Sequence, residues 1–471
     1  MTSGTRQILI SLIVACAMFM QNMDSTVIAT ALPVIAKSLN ESPLRLNVAI
    51  TCYLLSLAVF VPISGWTADR LGARRVFSAA IIVFVLGSIG CGLSNSLWML
   101  VVSRIVQGMG GAMMVPVGRL VLLKTVPRSE IVRAMSYVSL PAMLGPVTGP
   151  PLGGFIATYG SWRWIFFINI PIGILGLVLI NLFIEDFRET GARPFDIPGF
   201  VLTGVGLASL AFGFETIGRG AVPLSVTLTL LAAGIVLMTL YVRHARNTEF
   251  PVLDLSLMRI PTYAAATIGG FLFRMGMGAL PFLLPLMLQV GFGLSALQSG
   301  LLTFASAIGA MTMKLGVQTI IRALGFRTVM VVNAVISASF LTSYALFRPS
   351  TPHIVIFLAL LSGGFFRSLQ MTSINSLGYA DVPAAMLSRA TSLTSMCQQL
   401  SQAVGVATGA MLLFIFLALR GEAHPTPLDF SLAFVAVGCI GMLSVPFFLK
   451  ISPDAGAEVS GHGPGGKLAQ S

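Results

Sequence analysis

The chain has 471 residues, 56% of them hydrophobic and only 9% charged, with a formal net charge of +12. A soluble domain usually carries about 25% charged residues, so the balance excludes an ordinary soluble enzyme or nucleic-acid-binding module. A mean hydropathy of +0.91 points to a polytopic membrane protein, all-α because a helix satisfies its own backbone in lipid.

A spanning helix needs about 20 mainly apolar residues. That rule predicts fourteen spans: 8–34, 46–66, 76–94, 97–123, 132–158, 164–184, 197–217, 224–243, 262–290, 298–321, 328–347, 353–375, 387–416 and 429–449. The start, Met1 to Gln7, is short and runs into span one without a clear cleavage site. Span one is therefore expected to be retained. Cys16, Cys52, Cys91, Cys397 and Cys439 fall inside apolar segments, none at C-x-x-C spacing, and the histidines lie at segment ends or in the tail. Neither set suggests a metal site.

Asp24 lies in span one, roughly 15 Å from its outer end at 1.5 Å per residue. A charge at that depth costs about 2.5–3.5 kcal/mol on insertion scales and should face the bundle interior. Arg104 in span four sits at a comparable depth. Burial favours a neutral carboxyl and a nearby arginine favours a charged one. The pair is therefore a candidate proton-coupling site, with a static structural pair as the alternative.

Between spans two and three runs Gly65-Trp66-Thr67-Ala68-Asp69-Arg70-Leu71-Gly72-Ala73-Arg74-Arg75. Asp69 there can accept charge-assisted bonds from arginines or from a helix N-terminus. Span five holds Gly145-Pro146-Val147-Thr148-Gly149-Pro150-Pro151-Leu152-Gly153-Gly154. Such a run would break a helix in water. In a membrane it is tolerated, and its glycines let a neighbouring helix come close. A kinked helix packed tightly on a neighbour is expected.

Interior charge is mostly positive. Arg104, Arg119, Arg274, Lys314 and Arg367 lie within spans, against Asp24 and Glu215. Gln21, Arg274, Lys314 and Arg367 are the candidate substrate-cavity residues. The excess leaves an organic anion as open a choice of substrate as a lipophilic cation.

Placing the N-terminus in the cytoplasm puts seventeen of the 28 basic residues in cytoplasmic loops and six in outer loops. This bias favours an even number of spans with both termini inside. Leu71-Gly72-Ala73-Arg74-Arg75-Val76 after span two is echoed by Leu324-Gly325-Phe326-Arg327-Thr328-Val329 after span ten. Two parallel six-helix halves with two extra helices between them would explain the echo. The expected units are a first bundle over 1–184, the extra helices and linkers over 185–261, a second bundle over 262–449 and a disordered cytoplasmic tail over 450–471.

Taken together, these stretches resemble the major facilitator superfamily, most closely its fourteen-span drug:proton antiporter branch, the EmrB/QacA group. Met23-Asp24-Ser25-Thr26-Val27-Ile28-Ala29-Thr30-Ala31-Leu32-Pro33 resembles that branch's first-span signature. Arg104-Ile105-Val106-Gln107-Gly108-Met109-Gly110-Gly111-Ala112 resembles the fourth-span one. Trp162-Arg163-Trp164-Ile165-Phe166 with Asn169-Ile170-Pro171-Ile172-Gly173 is typical of the branch. The span-five stretch matches the core of the antiporter signature, although Val132 and Pro141 stand where the fuller pattern has glycines.

The resemblance implies a major facilitator fold and a multidrug-type efflux antiporter working by alternating access. Its Gly65, Asp69, Arg70, Gly72, Arg74 and Arg75 would latch the halves in the outward-facing state. It also implies a place in the bacterial inner membrane, with small-molecule substrate, protons and lipid as partners; a monomer is one option, and the residues leave the oligomeric state open. The proton gradient is the energy source, and no cofactor or nucleic acid is expected. An exporter of an anionic metabolite, such as an organic carboxylate, is the alternative. A membrane enzyme would need a nucleophile–base pair or a metal cluster, and the sequence offers neither.

Overall fold

The structure is a computed structural model, and it describes residues 3–41, 43–185, 194–216, 223–294, 296–421 and 425–462. Among the described residues the regular structure is helical throughout. Twelve helical stretches among them are long and apolar enough to cross a membrane. One of them, Gln298–Leu346, is 49 residues long. Gly325 inside it has φ 73° and ψ 159°, and there two helices meet. A further 29-residue helix, Ile131–Tyr159, stands outside the twelve.

The helices gather into two bundles. In the first, Ser3–Leu39 packs on Ile131–Tyr159, and Leu97–Thr125 packs on both Ala73–Gly92 and Pro43–Phe60. In the second, Ala296–Ser343 packs on His353–Ala380, while Gly270–Gly278 packs on Leu387–Arg420 and Pro427–Met442. Glycines bring the backbones together. A Cβ on Gly309 would collide with the Leu361 carbonyl, and one on Gly364 with the Ser306 carbonyl.

Ile197–Thr216 and Leu224–Asn247 pair with each other. The first also touches Pro43–Phe60 of one bundle and Leu387–Arg420 of the other, so the pair covers a seam between the halves. The second shows Leu224, Leu228, Ile235 and Val236 to its surroundings. Polar ties hold the base of the pair. Asp196 meets His244 at 2.7 Å and accepts the Gly199 N–H at 2.9 Å. Phe195 rests on Trp66, ring centroids 4.7 Å apart. Asp254 in the following linker is ion-paired to Arg389 of the second bundle.

The tail departs from its expected disorder. It is folded through His462, and Ile451 and Val459 are buried. Two apolar side chains in a Gly/Ser-rich segment are enough to seat it against the bundles. Glu458 meets Arg128 at 3.2 Å, and the His462 ring lies 3.0 Å from the Arg322 carbonyl. Positions 463–471 lie outside the described residues.

Candidate functional site

Asp24 and Arg104 are both fully buried. Arg104 Nη1 lies 2.5 Å from Asp24 Oδ2. The other carboxylate oxygen, Oδ1, accepts from Gln107 Nε2 at 2.8 Å and from Asn169 Nδ2 at 3.2 Å. Both amides also donate to Ser88 Oγ, at 2.8 and 3.2 Å. Arg104 donates to Gln107 Oε1 at 2.7 Å and from Nε to the Ala49 carbonyl at 3.4 Å. Its guanidinium lies 4.1 Å from the centre of the Tyr53 ring.

The carboxylate is bonded directly from two helices, and the network around it, Asp24's own helix included, draws on five helices of the first bundle. A charge buried in lipid needs that density of partners. Sequence reasoning paired Asp24 with Arg104 and missed Tyr53, Ser88, Gln107 and Asn169. Gln107 was findable, since it lies three residues after Arg104 and shares its helix face. Asn169 stood in a quoted motif without a role.

Between the bundles lies a cavity of about 360 Å³. Gln21, Asn22 and Arg119 line it from the first half, and Lys314, Arg367, Asn375, Gln398, Gln399 and Gln402 from the second. Three of these are basic, and among the described residues no aspartate or glutamate lines the cavity. Lys314 donates to Thr372 Oγ1, and Arg367 to Ser306 Oγ at 3.0 Å. Arg274, the other cavity candidate, is not on the lining. It donates to Asn375 Oδ1 at 3.0 Å from behind, and Gln398 Nε2 donates to the same oxygen at 2.9 Å. The side chain of Glu215 lies outside the described residues.

Arg119 belongs to the cavity and to the seal between the halves. It donates to Tyr379 Oη at 3.3 Å and to Gln398 Oε1 at 3.1 Å. Nearer the end rich in basic loops, Arg128 donates to the Ala380 carbonyl at 2.8 Å. The Gly65–Arg75 segment, helical on either side of Gly72, seals the same end. Ser388 Oγ donates to Asp69 Oδ2 at 2.6 Å, and the Ser64 and Ser392 hydroxyls are 2.7 Å apart. A Cβ on Gly65 would lie 2.8 Å from the Ser388 carbonyl oxygen. Asp69 therefore meets the N-terminal turn of Leu387–Arg420, where a helix favours negative charge. Arg70 stacks on Trp66 at 5.2 Å, and Arg74 reaches the Ile184 carbonyl at 3.5 Å. Arg75 is exposed. Gly72 has φ 95°, a value that favours glycine. Its echo in the second half, Gly325, has φ 73°, so the faint sequence repeat is also a backbone repeat.

The span-five stretch remains inside one continuous helix, Ile131–Tyr159. Gly145, Gly149 and Gly153 are buried. A Cβ on Gly145 would lie 2.8 Å from the Met23 nitrogen, and one on Gly149 would collide with Thr26 Oγ1. Both points face Ser3–Leu39 within a turn of Asp24. The side chains of Pro146 and Pro150, and the surroundings of Gly154, lie outside the described residues.

Two helical bundles around a polar cavity, sealed at one end by cross-bundle bonds, define a membrane transporter rather than an enzyme. A family model of the Major Facilitator Superfamily matches residues 14–406, and the chain belongs to that superfamily. Among its relatives is "Putative multidrug resistance protein MdtD" of Salmonella heidelberg (strain SL476). The two are 41% identical over 418 residues, covering 88% of this chain and 87% of the relative. The protein of the same name from Escherichia coli O127:H6 is 41% identical over 455 residues, 95% of each chain. Solved structures share the fold. The proton:xylose symporter XylE superposes with a TM-score of 0.67 at 15% identity, over 98% of this chain and 99% of its own. The human organic anion transporter MFSD10 does so with a TM-score of 0.64 at 15% identity, over 94% and 99%.

Proposed function

We propose that the protein is a fourteen-span, proton-coupled efflux antiporter that exports small organic compounds by alternating access. The observation that carries this reading is the fully buried Asp24–Arg104 pair beside an inter-bundle cavity. Gln21 links the two, since it lines the cavity one helical turn before Asp24. Fourteen spans follow when Gln298–Leu346 is counted as two helices meeting at Gly325 and Ile131–Tyr159 is added. The loop charge bias then sets both termini in the cytoplasm of a bacterial cell, with the protein in the inner membrane. Labelling of a cysteine in the tail from outside the cell would contradict that orientation.

On this reading the basic end is cytoplasmic and the structure is closed there. Asp69–Ser388, Arg128–Ala380 and the Arg119 bonds must break for substrate to enter from the cytoplasm. Protonation of Asp24 from the outer side neutralises it and frees Arg104 from the pairing. Deprotonation restores the pair and discharges the proton inward. A proton moving down a potential of 100 mV supplies about 2.3 kcal/mol. The proton gradient is the energy source.

A second reading concerns what is carried. Arg119, Lys314 and Arg367, with no carboxylate among the described lining residues, favour an organic anion, such as a carboxylate metabolite, over a lipophilic cation. Guanidinium and ammonium groups in a low-dielectric cavity hold a carboxylate by charge-assisted hydrogen bonds. In a transport panel of carboxylates and lipophilic cations, Lys314→Ala and Arg367→Ala should each cut carboxylate export by about tenfold or more. Export of cations alone, unaffected by both changes, would end the anion reading.

A further inference from the structure

The central cavity has a neighbour. A second space of about 280 Å³ lies beside it, walled by Pro43–Phe60, Leu387–Arg420 and the extra helix Ile197–Thr216. Its described lining is almost wholly apolar: Leu54, Leu57, Leu207, Ala211, Phe214 and Met396 among others. Among the described residues Gln399 and Gln402 are the polar exceptions. These two glutamines and Val61 also line the central cavity, so the two spaces share a wall. Gln399 and Gln402 are three residues apart on one helix face, and both are exposed.

The placement of the extra helix makes this space. Ile197–Thr216 touches one helix from each bundle across the seam that joins them. It comes close to the first of these, where a Cβ on Gly204 would lie 3.2 Å from Val59 Cγ1. Without it, Leu54, Leu57 and Met396 would face the surrounding lipid. With it, they face an apolar recess that adjoins a polar, cationic cavity.

We propose that this recess is a binding site for the lipophilic part of the transported compound, whose polar or charged head stays in the central cavity. The ligand class is an amphiphile with a hydrocarbon or aromatic body. Burying such a body is favourable in proportion to the apolar area removed from water. Its polar junction meets Gln399 and Gln402, which can donate or accept. The shared wall favours a transported molecule over a resident lipid chain. The proposal rests on the efflux reading above, and the test separates the two.

The probes are permanently charged and cross bilayers slowly. They are alkyl sulfonates with methyl, butyl and octyl chains, and trimethylammonium ions with the same chains. Transport is measured in proteoliposomes under an imposed pH gradient. In the wild type, KM should fall as the chain lengthens, for whichever head group is carried. Ala211→Trp fills the recess. It should raise KM for the octyl compound by about tenfold or more and leave the methyl compound within about twofold. Leu207→Ala enlarges the recess and should shift the preference to longer chains. It keeps the test open should the tryptophan variant fail to insert. Val236→Trp, on the exposed face of the other extra helix, should change nothing.

Equal KM values across chain lengths in the wild type, or an unchanged length profile in both recess variants, would overturn the proposal while leaving efflux intact. So would a phospholipid that copurifies with the wild type and is lost from Ala211→Trp without any change in transport. Absence of transport for every probe would remove the efflux reading, and the proposal with it.

Discussion

Asp24→Asn is expected to reduce pH-driven substrate accumulation to background while substrate exchange across the membrane continues. The amide keeps the size of the side chain and can still accept from Gln107 and Asn169, but it cannot bind or release a proton. Arg104 would remain buried and lose its counter-charge. Breaking a buried pair on one side costs about 3–5 kcal/mol, so the variant should also be less stable in detergent. Arg104 keeps the Gln107 oxygen and the Ala49 carbonyl as acceptors, which softens that loss. The assay is substrate flux in proteoliposomes, run uphill against a pH gradient and then as exchange at equal pH. Undiminished uphill transport would move the coupling role elsewhere, with Glu215 as the next candidate.

Gly149→Leu is expected to abolish export in a protein that still inserts. Even a Cβ at this position collides with Thr26 Oγ1 and lies 3.2 Å from the Val27 nitrogen. Val27 is fully buried, so the leucine can be housed only by moving Ile131–Tyr159 away from Ser3–Leu39. Overpacking of this kind costs about 1–3 kcal/mol where the structure can shift, which a large membrane bundle survives. The contact lies one turn from Asp24, so the same shift would disturb the ion pair. Wild-type export by a folded Gly149→Leu protein would show that the close approach is dispensable.

Much of this architecture is legible in the chain because lipid leaves few options. Long apolar stretches must be helices, and a lone aspartate at mid-depth must find a cation. Depth alone pairs Asp24 with Arg104. The sequence offers Asp69 an arginine or a helix N-terminus, and it meets the first turn of Leu387–Arg420 through Ser388. The neutral partners are harder to see. Gln107 can be found only through its spacing from Arg104, while Ser88 and Asn169 carry no charge and nothing in their own spans singles them out. Arg274 shows the opposite limit. Depth marked it as a cavity residue, but which side of its helix it occupies is decided by packing, and it lies behind Asn375. The tail failed for a compositional reason, because its glycines and serines mask the two apolar side chains that anchor it. The recess beside the extra helix could not be read at all, since it is formed by helices far apart in sequence.

The most direct test of the coupling account is to follow protons and substrate together in one proteoliposome preparation of the wild type. A pH-sensitive dye inside the vesicles reports protons, and a radiolabelled substrate from the panel reports transport. The account predicts that protons move opposite to the substrate, in a fixed ratio, and that a protonophore collapses the substrate gradient. Substrate flux that is indifferent to the pH gradient and to the protonophore would contradict it.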